Sequence, residues 1–252
     1  EASGIDWVVD APDLATLHPE LTGNVKGHGN AKGLLDGSRA SVRVDKLSGT
    51  IKDYPLTARG EIKLKDQLIS AKNFRLAVGE NKVRLNGVAD DQAGIDWELD
   101  APDLAALHPE VQGNLKGRGN AKGVLDGSRL SVKVSQLQGR LKGYPVSAKG
   151  EVKLRDQLIS ADNFRVIVGK NSIRLNGVAD ERTGIDWELD APDLASLHPE
   201  VDGNLTGRGN AKGLLDGSRA SLQIAQLQGR VKGFPFQVSG GVRLRDKLIS
   251  AD

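Results

Sequence analysis

The residues of this chain best equipped for chemistry are its histidines and carboxylates, and neither set is spaced to perform it. His18, His108 and His198 each precede a proline and lie 90 residues apart, which does not supply the clustered imidazoles of a zinc site. His28 becomes Arg118 and Arg208 at the equivalent positions, so it is not a ligand or base required in every copy. Asp6, Asp10 and Asp13 resemble an acid–base constellation. Asp6 and Asp10, however, alternate with Ile5, Trp7 and Val9 and so point outward from a strand, while Asp13 is placed to start a helical turn. Gly27-His28-Gly29-Asn30-Ala31-Lys32-Gly33 brushes against a phosphate loop, but its spacing is G-x-G-x-x-x-G and no helix pattern follows. Gly37-Ser38-Arg39 lacks the nucleophile-elbow context, and the chain has no cysteine to supply a thiolate. The expectation is a protein that is not an enzyme and needs no cofactor or metal.

The organisation of the sequence explains this better than any site does. Gly-Ile-Asp-Trp begins at Gly4, Gly94 and Gly184, a period of 90 residues, which divides the chain into repeats over 4–93, 94–183 and a truncated 184–252. Between copies Val132, Val134 and Leu141 become Leu222, Ile224 and Val231, apolar for apolar. Lys133 and Glu151 become Gln223 and Gly241, so one face must stay apolar and the other is free to drift. Only the tight Asp90-Asp91-Gln92-Ala93 turn joins the first two copies, which predicts one continuous solenoid-like unit rather than independent domains. Composition agrees: 38% hydrophobic, 4% aromatic and 31 glycines are thin material for a compact globule. With 35 basic and 33 acidic residues interspersed, nucleic-acid binding is not indicated. Apolar runs fall far short of the roughly 20 residues that span a bilayer. The chain starts at Glu1 without a signal peptide and ends within a repeat, as expected of a piece of a longer protein.

Period-two alternation fills each repeat and predicts six or seven half-buried strands in an antiparallel meander. Ile5, Trp7 and Val9 form the first, stopped by Pro12, and Leu14 and Leu17 fit a short helix. From Leu21 to Leu35 the inward residues are mostly Gly and Ala. Such a run implies close backbone approach, a bend, or room for something else, and the last leaves a cleft. Asp36-Gly37-Ser38 reads as a turn. Ala40, Val42 and Val44 make a strand and Leu47 and Ile51 another, with a bulge or turn at Asp45-Lys46 and a break at Tyr54-Pro55. Phe74, Leu76 and Val78 meet Val83 and Leu85 across Gly79-Glu80-Asn81. The candidate apolar face comprises Ile5, Trp7, Leu64, Phe74, Leu76, Val78, Val83, Leu85, Ile95, Trp97 and Leu99. Its later members are Val132, Val134, Leu154, Phe164, Val166, Val168, Ile173, Leu175, Ile185, Trp187 and Leu189.

Three ordered patterns resemble the repeats of the TamB family. These are Gly79-Glu80-Asn81-Lys82-Val83-Arg84-Leu85-Asn86-Gly87, then a strand ending in Ala-Pro-Asp-Leu (Ala101 to Leu104), then Leu107, Pro109, Val111 and Gly113. The order covers most of every repeat, although repeats of that family ordinarily diverge more than these. The resemblance implies an all-β fold: an elongated, continuous antiparallel sheet curved into an open groove, or β-taco. It further implies a Gram-negative periplasmic protein anchored in the inner membrane outside this segment. Its role would lie in outer-membrane biogenesis, through phospholipid transport or assistance to outer-membrane protein assembly, with phospholipid acyl chains and a TamA-like protein as partners. The competing expectation is a structural or adhesive stalk of tandem β-sandwich repeats.

Overall fold

The structure, a computed structural model, describes residues 4–16, 18, 22–34, 38–124, 128–198, 200–213, 219–245 and 248–251. Leu17, Leu21, Leu35 and the Asp36-Gly37 turn lie outside the described residues. Among those described, the chain is all-β, with short 3-10 helices at Leu14–Thr16, Leu104–Ala106 and Leu194–Ser196. It divides into two compact units, Glu1–Gly127 with Leu141–Gly143, and Ser128–Arg140 with Tyr144–Asp252.

The first unit holds β1 (Ile5–Ala11), β2 (Gly23–Gly33), β3 (Arg39–Ile51), β4 (Tyr54–Lys65), β5 (Leu68–Val78), β6 (Asn81–Val88), β7 (Gly94–Ala101) and β8 (Gly113–Gly123). Each pairs antiparallel with the next. The second unit holds β9 (Arg129–Leu141) except its last residue, β10 (Tyr144–Arg155), β11 (Leu158–Val168), β12 (Asn171–Val178), β13 (Gly184–Ala191), β14 (Gly203–Gly213), β15 (Arg219–Val231), β16 (Phe234–Arg245) and β17 (Leu248–Ala251). From β10 onward these form the same antiparallel meander. Among the described residues of each unit, the most extensive strand contacts are those between ladder neighbours. No large side chain is fully buried among the described residues.

Local chemistry accounts for the turns and bends. Lys52 and Asp53 take φ of 46° and 68°, the mirror-image turn that matches the twist of flanking strands. The chain thus reverses before Tyr54. Pro55 does not break the sheet but lies within β4 opposite Thr50, and its carbonyl accepts a bond from the Gly79 N–H at 2.8 Å. The parity change near Asp45 is a bulge, and residues 39–51 form one strand rather than two. Further bulges lie between Arg59 and Glu61 and between Ala71 and Phe74, where a strand bends and twists more strongly. Gly60, at φ 126°, permits the first of these, because a Cβ there would collide with the Phe74 backbone.

The tight Asp90 turn is held by its own carboxylate, which accepts bonds from Gln92 N at 3.0 Å and Ala93 N at 2.6 Å. The Ala93 bond is the main reason the Asp90 pKa lies below the ordinary carboxylate value. Asp180 is lowered likewise, chiefly by Thr183. A folded-state pKa below the unfolded one stabilises the protein above the unfolded value, and that contribution fades as pH falls through the folded value. Melting temperature should therefore hold from neutral pH down to the ordinary carboxylate range and drop below it. The Asp90→Asn/Asp180→Asn double variant should melt lower at pH 7 and lose less on acidification. Equal acid losses in the two proteins would remove these carboxylates as a source of the pH dependence.

Candidate functional site

Strand register gathers the apolar residues onto one face. Ile5 and Trp7 of β1 stand opposite Ala31 and Gly29, and Leu64 stands opposite Ala40 and Ile69. Val78 faces Leu56, Leu76 faces Val83 and Phe74 faces Leu85. Val83 and Leu85 in turn face Leu99 and Trp97, and Gly87 faces Ile95. The second unit repeats the arrangement. Leu154 faces Ile159, Val168 faces Val146, Val166 lies between Ala148 and Ile173, and Phe164 faces Leu175. Ile173, Leu175 and Gly177 face Leu189, Trp187 and Ile185. Val132 and Val134 are half-buried in β9. Directly opposed residues of an antiparallel pair project to the same side, so each unit carries an apolar face running across its ladder. Val42, Val44, Leu47, Leu56 and Ile62 belong to that face as well.

The expected cleft over the glycine-rich strand is filled. A Cβ on Gly29 would meet Trp7 Cζ2 at 2.6 Å and collide with the Arg43 carbonyl, and Gly209 stands in the same relation to Trp187 and Gln223. The glycines give the indole rings a flat bed on the backbone. Gly27 and Gly207 do the same for Leu47 and Leu227. Apolar surface is presented by the rings and aliphatic chains above the glycines, not by a hole between them.

Successive sequence copies are tied together by contacts that period-two reading misses. Ile5 is 74% exposed, whereas Ile95 and Ile185 are each 9% exposed, because β6 and β12 cover the latter pair. Asn81 and Asn171, 5% and 4% exposed, sit at inward positions of their strands. Asn81 Nδ2 donates to the Asp103 carbonyl at 2.6 Å, and Asn81 Oδ1 accepts from Asp103 N at 3.0 Å. Asn171 repeats both bonds with Asp193, at 2.7 and 3.0 Å, and also donates to Ser196 Oγ at 2.7 Å. Each amide thus satisfies the backbone just beyond Pro102 or Pro192, where strand pairing has ended. The signal was an asparagine at a parity otherwise reserved for apolar side chains, since a buried amide needs partners.

Opposite this face the polar groups pair with one another. Asp6 accepts from Asn30 at 2.8 Å, Asp10 meets Lys26 at 3.1 Å, and Asp13 accepts from Ala15 N at 2.9 Å, so the three carboxylates serve structure. Ser131, at 2.6 Å, is the main cause of a lowered Glu151 pKa, acting against burial and with help from Lys153. His108 and His198 accept weakly from Glu110 N and Glu200 N at 3.4 Å in separate loops. No helix among the described residues is long and apolar enough to cross a membrane.

Over 229 residues the chain is 23% identical to the translocation and assembly module subunit TamB of Haemophilus influenzae, a match that covers 88% of this chain and 16% of that protein. It thus spans a small part of its curated relative. No solved structure matches it. A family model described as TamB, N-terminal domain, matches twice, over residues 6–136 and 109–226, and the two matches together take in most of the repeated sequence. With its antiparallel ladders and the apolar face of each unit, the chain belongs to the TamB N-terminal domain family.

Proposed function

We propose that this chain is a segment of a periplasmic hydrophobic groove that supports phospholipid transport between the inner and outer membranes, outer-membrane protein assembly with a TamA-like partner, or both. The observation that carries this reading is the apolar face of each unit, which passes from strand to strand through Phe74, Leu85 and Trp97, and through Phe164, Leu175 and Trp187. Burying one CH₂ is worth roughly 0.8 kcal/mol relative to water, so a long acyl chain gains on the order of 10 kcal/mol on such a surface. Relative to a bilayer the gain is near zero. A face of this kind favours passage down a gradient over tight capture, and it requires neither a specific pocket nor a catalytic step. A stalk of closed sandwiches is disfavoured, because each would need two separate sheets packed face to face, whereas β1 to β8 and β10 to β17 pair in unbroken antiparallel succession.

Photocrosslinking side chains installed at Trp97, Leu99, Val166 and Leu175 of the full-length protein are expected to capture phospholipid in cells. Crosslinkers at Asp100 and Ser172, on the opposite face, are expected to stay unlabelled. Equal labelling of both faces would overturn the groove reading.

A further inference from the structure

Across the polar face of the first unit, the register sets Arg59 opposite Arg75, Arg75 opposite Arg84, Arg84 opposite Glu98 and Glu98 opposite Arg118. The second unit has the same tier: Lys149, Arg165, Arg174, Glu188 and Arg208. Like charges directly opposed across a ladder destabilise a sheet, and one carboxylate per tier cannot neutralise four cations. Glu98 engages Arg84 at 3.1 Å and Glu188 engages Arg174 at 3.5 Å. Among the described residues, the side chains of Arg59 and Arg75 have no partner. They line a concavity of about 500 Å³ with Lys46, Lys82 and Arg84. Its one carboxylate, Asp45, is turned to Arg43 at 3.0 Å. Five cations surround one hollow, and although Glu98 engages Arg84, the two guanidinium forks of Arg59 and Arg75 leave a positive field there.

We infer that this hollow binds a phosphate group, with Arg59 and Arg75 as the forks that grip its oxygens and Lys46 and Lys82 as flanking charges. Guanidinium geometry matches phosphate in a bidentate manner, and lysines add point charge. The ligand is a phosphate ester or free phosphate, held on the face opposite the apolar residues. The site stands whether or not the groove carries lipid.

The test uses the whole chain at low ionic strength, with inorganic phosphate as one probe and phosphatidylcholine vesicles with or without phosphatidylglycerol as the other. Arg59→Gln/Arg75→Gln should weaken binding about tenfold or more, the loss of charge-assisted contacts. Lys63→Gln/Lys65→Gln removes the same charge elsewhere on β4 and should leave binding unchanged. The arginine variant should melt no lower than the parent, because repulsion has been relieved, which a purely structural role would not allow. Saturation by inorganic phosphate identifies a soluble source, and binding only to phosphatidylglycerol vesicles identifies a lipid headgroup. Failure of the parent to bind either probe, or equal weakening by both double variants, overturns the site.

Discussion

Val166→Asp in the full-length protein is expected to abolish outer-membrane maintenance, while Ile167→Asp, one residue along the same strand, leaves it intact. Both changes replace a half-buried β-branched side chain with a carboxylate, so they differ chiefly in the face they alter. Val166 stands opposite Ala148 and Ile173 on the apolar face, whereas Ile167 stands opposite Ser147 and Ser172 on the polar one. An acyl chain moving along the apolar face has no route around a charge on it, and stripping water from that carboxylate costs several kcal/mol. On the polar side, water solvates the carboxylate that Ile167→Asp introduces, at no such cost. Each substitution should lower stability by about 1–3 kcal/mol, so circular dichroism and melting accompany the assay, which scores cell resistance to detergent and bile salts. A folded Val166→Asp protein that maintains the outer membrane normally would remove conduction from the reading.

That experiment rests on facing, the property most fully legible in the sequence. A period of two assigns each side chain to one side of a sheet without reference to any partner strand. Phe164 could therefore be placed on the same side of its strand as Val166, and Ile173 on the same side as Leu175, before any ladder was known. What stayed hidden depends on partners. Alternation makes Gly29 an inward small residue, but only the pairing with Trp7 decides that an indole fills the space above it. The parity change at Asp45 is the same in sequence whether it marks a bulge or a turn, and the continuous pairing of β3 with β4 on both sides of it decides for the bulge. Pro55 reads as a breaker because proline cannot donate to a ladder, yet its carbonyl still accepts from Gly79. The arginine tier was equally opaque, since Arg59, Arg75 and Arg84 are dispersed among acidic and neutral neighbours along the chain and only the register lines them up.

A large loss of stability is expected at a residue that the apolar pattern passes over. Asn171→Ala should destabilise the protein by about 1–3 kcal/mol, since it strands the Asp193 N–H, while the Asp193 carbonyl keeps its bond from Ser196 Oγ at 2.8 Å, and an unsatisfied buried group costs about 1–3 kcal/mol. Asn171→Asp should be at least as damaging, because it keeps the acceptor for Asp193 N but loses the donor and buries a charge beside a carbonyl oxygen. Asn24→Ala removes a single exposed bond to Thr50 Oγ1, 2.9 Å long, and should change stability by less than about 0.5 kcal/mol. Chemical denaturation orders the three variants, and hydrogen exchange at Asp193 N–H locates the loss at the clasp. Near-identical stability of Asn171→Ala and the parent would show that the clasp is ornamental. The expected result instead gives physical content to the motifs that carry the family resemblance: Gly-x-Asn in one sequence copy and Ala-Pro-Asp-Leu in the next form a single hydrogen-bonded joint. The asparagine supplies the partners that the chain loses when proline ends its strand, and their spacing of 22 residues is the length of one hairpin, β6–β7 or β12–β13, whose turn is the junction between copies.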